Sequence, residues 1–103
     1  MATPLAKPLL LRWSRFSVAD RLAIFDYLEE RNPLAAAEVD LAIKRQVQRL
    51  INYPMLGKAG RVEGTRELMI KGTPYLVAYQ LERTTVRILR ILHTSQLWPP
   101  RSN

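Results

Sequence analysis

His93 is the only histidine in the chain, and its ordinary pKa near neutrality makes it the first candidate for general acid or base work. It closes the run Ile88-Leu89-Arg90-Ile91-Leu92-His93, which reads as a strand whose end reaches the rim of a sheet. By alternation His93 shares a face with Ile91 and Leu89, and Arg90 points to the other face. The two are therefore not an evident pair, and a structural or merely exposed histidine is the competing reading. Lys58, Arg61, Arg66 and Lys71 cluster in a loop and the strand after it, where four cations would clamp a phosphate. Glu67 stands among them, either as a base held ionised by its neighbours or as the ion-pair partner of Arg66 or Arg90 across a strand. Trp98, just before Pro99-Pro100, would stack on a base or tack the tail onto the core. Tyr75 and Tyr79 read first as core residues of a strand. With one histidine and no cysteine, no metal centre can be assembled from the usual spacings, and neither a phosphate-cradling glycine loop nor a Ser/His/Asp set is present. No cofactor is implied, so any catalysis is metal-independent or completed by a partner.

The elements that must position these residues follow from hydrophobic period and turn chemistry. Leu9-Leu10-Leu11-Arg12-Trp13 reads as a first strand. Ser17-Val18-Ala19-Asp20 matches a capping box, and Val18, Leu22, Phe25 and Leu28 follow at helical spacing, predicting a helix to about Arg31 with that stripe turned inward. Asn32-Pro33 gives a second start, asparagine as N-cap and proline at the first helical position. Ala36, Val39, Ile43, Val47 and Leu50 then line one face to about Ile51. The short link makes a helical hairpin. Asn52 to Gly64 reads as a turn-rich loop. Gly64 to Ile70, Tyr75 to Tyr79 and Val86 to His93 read as three strands, separated by the turn signals Lys71-Gly72-Thr73-Pro74 and Glu82-Arg83-Thr84, hence an antiparallel meander. Apolar residues on both faces of the last two runs mark them as central. Two amphipathic helices and one sheet give an α+β domain, the helical hairpin packed on one face of a mainly antiparallel sheet of three to four strands.

Length and charge bound the rest. At 103 residues the chain is expected to be one domain, residues 9–100, with a loose leader at 1–8 and a short tail at 101–103. No apolar run approaches the roughly 18 residues a membrane span needs, and the absence of cysteine suits a reducing cytosol, so no membrane partner is expected. Residues 1–43 hold five Lys or Arg against six Asp or Glu, a net −1, whereas residues 44–103 hold eleven against three, a net +8. A basic half of this kind suits an acidic partner, either nucleic acid or an acidic protein segment, and a well-solvated basic surface is the plain alternative.

Strand, helical hairpin and meander together carry a resemblance. Pro54-x-x-Gly57, Gly60-Arg61, Gly64-Thr65-Arg66-Glu67-Leu68, Thr73-Pro74-Tyr75-Leu76-Val77-Ala78-Tyr79 and Ile88-Leu89-Arg90-Ile91-Leu92-His93-x-x-Gln96-x-Trp98-Pro99 resemble the RelE/ParE superfamily of bacterial toxins from type II toxin-antitoxin, or plasmid stabilisation, systems. The resemblance implies a cytoplasmic growth inhibitor made beside a cognate antitoxin, whose acidic, initially disordered tail would fold on the basic half of this chain. RelE-like members cut mRNA on the ribosome, and ParE-like members act on DNA gyrase. If the chain were a ribonuclease, His93, Arg61 and Arg66 would be its catalytic set. The middle strand, Tyr75-Leu76-Val77-Ala78-Tyr79, lacks the arginine that RelE-like ribonucleases place there, so the ParE-like branch fits better. On that reading Lys58, Arg61, Arg66, Arg90 and His93 form the target-binding surface. A member without toxicity, retained as a binding partner, is the third reading.

Overall fold

Ser14, not Ser17, starts the first helix. In the computed structural model, which describes residues 3–99, β1 (Leu10–Trp13) runs straight into α1 (Arg15–Glu29). The Ser14 hydroxyl accepts from the Ser17 amide at 3.1 Å while donating to the Leu89 carbonyl at 2.8 Å. Ser17 lies inside the helix, fully buried, its hydroxyl donating to the Ser14 carbonyl. The shift moves the inward face as well. Ser17, Asp20, Ile24 and Leu28 turn toward the protein, while Val18 and Leu22 of the expected inward stripe are 45% and 61% exposed. A capping box read from sequence identifies a helix start only locally; here the strand beside Ser14 supplied a better set of partners three residues earlier.

The second helix, α2 (Pro33–Gln48), follows its signals closely. Asn32 caps it through the Ala35 amide at 3.2 Å, Pro33 occupies the first turn, and a 3-10 turn at Arg49–Ile51 ends it. Ala36, Ile43, Val47 and Leu50 are at most 1% exposed, and each large side chain so buried contributes about 1.5–3 kcal/mol of transfer free energy.

The remaining strands are β2 (Lys58–Ala59), β3 (Arg66–Met69), β4 (Tyr75–Leu81) and β5 (Thr85–His93), arranged in one sheet in the order β1-β5-β4-β3-β2. The β3-β4-β5 meander is antiparallel throughout, as its turns require. The sheet has five strands rather than three to four, because a two-residue stretch of the turn-rich loop pairs with β3. It is also mixed, since β1 runs parallel to β5. The long crossover that parallel pairing needs is supplied by everything between them. Ile43, Val47 and Leu50 pack with Tyr75, Val77, Tyr79, Val86, Ile88 and Ile91, so the hairpin covers one sheet face. Leu76, Ala78 and Leu92 on the opposite side of the pleat are buried too. The two long strands are central, as their apolar character on both faces predicts.

Leu89 has no partner on β4: Tyr79 faces Ile88 while Ala78 faces Arg90. This extra residue breaks the alternation expected to place Leu89, Ile91 and His93 on one face. His93 and Ile91 align instead with Ile88 and Val86. The residues of the expected tail, 101–103, and the first two of the leader lie outside the described residues. Within the leader, the Leu5 amide donates to the Asn52 carbonyl at 2.9 Å.

Candidate functional site

The nominated residues occupy two separate regions divided by β4. Lys58, Arg61, Arg66 and Glu67 gather at the β2-β3 edge. There Gly60 and Thr65 close a tight loop, the Gly60 amide donating to the Thr65 carbonyl at 2.8 Å, which folds Arg61 back over β3. Glu67 is buried, and its two carboxylate oxygens accept from Arg61 Nε at 2.9 Å, Arg61 Nη2 at 3.0 Å and the Arg61 amide at 3.0 Å. The expected partners of Glu67 were Arg66 or Arg90; both are elsewhere, because alternation sends Arg66 to the opposite face and Arg90 is taken by a helix. The Arg61 guanidinium holds Glu67 below the usual carboxylate range, against the upward push of burial. A carboxylate so held is a poor base near neutrality.

Arg66 braces the loop before it, Nε donating to the Gly57 carbonyl at 2.9 Å and Nη2 reaching the Met55 carbonyl at 3.4 Å. The buried Tyr79 hydroxyl completes the brace: it donates to the Pro54 carbonyl at 2.6 Å and accepts from the Gly57 amide at 2.9 Å. Burial raises its phenol pKa. Gly57 is required here, since a Cβ would stand 2.6 Å from Tyr79 Cε1 and 2.8 Å from the Glu67 carbonyl oxygen. Lys58 stays exposed. Together with Arg49 and Lys71 it rims a cavity of about 360 Å³ floored by Leu56, Leu68 and Met69.

The second region lies where α1 runs beside the bulged edge of β5. Arg90 reaches Asp20 with both arms of its fork, Nε at 2.7 Å and Nη2 at 2.9 Å, and the Ile91 amide donates to the same carboxylate at 2.9 Å. The Asp20 carboxylate raises the Arg90 pKa, opposed by desolvation. Asp20 thereby satisfies an edge amide that β1 is too short to cover. Sequence gave Asp20 a capping role; only the register of β5 against α1 reveals this one.

His93 is exposed, and its ring meets Tyr75 edge to face at 5.6 Å. Its Nδ1 accepts from the Ser95 amide at 3.2 Å and lies 2.8 Å from the Ser95 hydroxyl. Tyr27, Tyr75, Ile91 and Gln96 join it around a cavity of about 290 Å³. Burial, and secondarily the neighbouring Tyr27, raises the Tyr75 pKa, so this phenol stays protonated near neutrality. His93 pairs with Tyr75 and Arg66 with Tyr79, at opposite ends of β4. At strand spacings of about 4.8 Å and rises of about 3.3 Å per residue, their backbones stand roughly 16 Å apart. The structure sets Lys58 and Arg61 beside Glu67 on one face of the β2-β3 edge, sends Arg66 to the other face, and leaves His93 and Arg90 on the far side of β4.

A third surface was hidden by the displaced helix start. Trp13, Val18, Arg21, Leu22, Phe25 and Asp40 line an open groove of about 490 Å³ beside α1. Arg21 pairs with Asp40 at 2.6 and 3.0 Å, its guanidinium 5.2 Å from the Trp13 ring centre. The apolar stripe itself was legible in the sequence, but its direction was not. Among the described residues no cluster of three or more potential metal ligands occurs, and no helix is long and apolar enough to cross a membrane.

Comparison with known proteins adds to this geometry. The sequence model of a family described as "ParE toxin of type II toxin-antitoxin system, parDE" matches residues 11–98. Toxin Y4kP of Sinorhizobium fredii is 37% identical over 89 residues, covering 86% of this chain and 92% of that protein. Toxin RelE2 of Caulobacter vibrioides is 34% identical over 85 residues, covering 82% and 94%. Among solved structures, a chain of the chromosomal ParDE system from P. aeruginosa superposes with a TM-score of 0.77 at 27% identity, over 82% of this chain and 95% of that one. A chain of the toxin-antitoxin complex RelBE2 from Mycobacterium tuberculosis gives a TM-score of 0.58 at 25% identity, over 87% and 95%.

Proposed function

The chain belongs to the ParE toxin family of type II toxin-antitoxin systems, and from that premise we propose that it arrests growth in the cytoplasm by binding DNA gyrase and is neutralised by a cognate antitoxin. The toxin domain is residues 9–100. The observation that carries the gyrase reading is the prior engagement of the cations. Arg61 is forked onto Glu67 and Arg66 onto loop carbonyls. Stabilising a phosphoryl transition state requires preorganised donors aimed at the reacting group, and these two point into their own protein, the Arg66 backbone roughly 16 Å from that of His93. A toxin that acts by binding needs no such convergence. Lys58 and the exposed fraction of Arg61 at one edge, and His93 at the other, are the surface offered to gyrase, with Arg66 and Arg90 holding its shape.

The antitoxin covers the groove beside α1. Val18 and Leu22, with Trp13 and Phe25, present the kind of apolar strip that an amphipathic segment buries. A segment disordered when free would offset its ordering entropy through that burial and through acidic contacts with the basic half.

One observation favours a second reading, ribosome-dependent mRNA cleavage: His93 is exposed at a cavity with Tyr75 and Tyr27. A non-toxic binding partner is the third. Inducing the chain without antitoxin while following thymidine and methionine incorporation separates all three. Early loss of thymidine incorporation is expected. Early loss of methionine incorporation, abolished by His93→Ala, would establish the nuclease reading, and undisturbed growth the third.

A further inference from the structure

Arg12 and Arg87 face each other directly across the β1-β5 ladder. Like charges at opposed positions on one sheet face destabilise the sheet. Three arginines elsewhere in the fold are each paired with a carboxylate, Arg21 with Asp40, Arg61 with Glu67 and Arg90 with Asp20, and Arg66 is taken up by loop carbonyls. Among the described residues Arg12 has no carboxylate within ion-pair distance, and Arg87 has only Glu82, at 4.0 Å with both side chains about half exposed. An exposed contact that long contributes little. Arg83 in the adjoining turn adds a further exposed cation.

The two arginines border a cavity of about 360 Å³ whose other walls are Trp13, Ser14 and Glu82. Gln80 pairs with Arg87 on its other side, so Arg12, Arg87 and Gln80 form a row across three neighbouring strands. At about 4.8 Å between strands the row spans roughly 10 Å. Its donors are two planar forks and an amide, the groups that match the paired oxygens of phosphodiesters.

We infer that this row is a docking site for the phosphate backbone of a nucleic acid strand. It is separate from the Lys58 and His93 regions and does not depend on gyrase being the target. An extended polyanion fits the row better than one carboxylate, because successive phosphates meet successive strands without ordering a separate flexible side chain for each contact. Glu82, in the turn just beyond β4, approaches the central Arg87 at 4.0 Å, so the strand crosses on the side of the row away from that carboxylate.

The test measures binding of a labelled single-stranded oligothymidylate to the full chain by fluorescence anisotropy across a salt series. Arg12→Gln/Arg87→Gln is compared with Lys44→Gln/Arg45→Gln, which removes the same charge from the exposed side of α2. Loss of two phosphate contacts lowers the slope of log K against log salt by about 1.4 and weakens binding roughly tenfold or more near 0.1 M salt. The α2 variant is expected to stay near the wild type. The Arg12/Arg87 variant should melt at or above the wild-type temperature, because a repulsion has been removed. Equal weakening in both double variants, tighter binding of polyglutamate than of the oligonucleotide, or a lower melting temperature on removing the pair would each overturn the inference.

Discussion

Replacing Asp20 by alanine removes three hydrogen bonds at once, two from the Arg90 guanidinium and one from the Ile91 amide. The side chains of Asp20 and Arg90 are 16% and 30% exposed, so the pair is largely shielded and Arg90 regains only part of its hydration when left alone. Charge-assisted bonds of this kind contribute about 1.5–3 kcal/mol each in mutational comparisons, and stranding one partner of a shielded pair costs about 3–5 kcal/mol. Rehydration of Arg90 brings the expected loss for Asp20→Ala to about 3 kcal/mol, a fall in Tm of roughly 12–24 °C for a domain of this size. Asp20→Asn keeps one acceptor for the Ile91 amide and is expected to lose about half as much. Urea denaturation of Asp20→Ala, Arg90→Ala and the double variant gives the coupling directly, with about 1–3 kcal/mol expected. A loss below about 0.5 kcal/mol in Asp20→Ala, typical of an ordinary surface change, would refute the reasoning, since α1 would then be held on β5 without any material contribution from Asp20. The same variants define the role of Arg90: growth inhibition lost in proportion to folded protein marks a scaffold residue, and inhibition lost at unchanged stability marks a target contact.

Tyr79→Phe strands the buried Gly57 amide and the Pro54 carbonyl, so it is expected to destabilise by about 1–3 kcal/mol in chemical denaturation, and hydrogen exchange at Gly57 should accelerate. Glu67, whose carboxyl is held below its ordinary value of 4.5 chiefly by Arg61, contributes stability that is fully present above that value and is lost as pH falls through the lowered folded value. Acid melting curves should therefore steepen below about pH 4.5 in the wild type and flatten in Glu67→Gln; identical curves would remove Glu67 from the acid response.

The second helix and the meander were legible because their signals are local. Asn32-Pro33 carries its own cap geometry, and the stripe from Ala36 to Leu50 has a single apolar direction. The meander turns carry their own glycine, proline and charge signals, and the last two runs are too apolar to sit anywhere but the sheet centre. The first helix begins three residues before its capping-box signal because Ser14 and Ser17 are both competent caps. The choice between them rests on β5, whose Leu89 carbonyl bonds the Ser14 hydroxyl from 75 positions away. Val18 and Leu22 were accordingly expected inward and lie outward. The candidate site suffered in the same way, since the loop geometry that turns Arg61 onto Glu67 and the bulge at Leu89 leave no periodic trace.

Sequence by itself determined both helices, the first strand and the three meander strands, the family, and the residue types available for chemistry, because capping, period and turn preference act over a few neighbours, whereas the two-residue β2 left no such signal. Tertiary structure decided which cations are free. Arg61, Arg66 and Arg90 spend their donors inside the fold, while Arg12 and Arg87 are set side by side by the parallel pairing of chain segments more than seventy residues apart. Charge acts through space over several ångströms in every direction. Its consequences therefore depend on the register between distant strands, which no local pattern encodes.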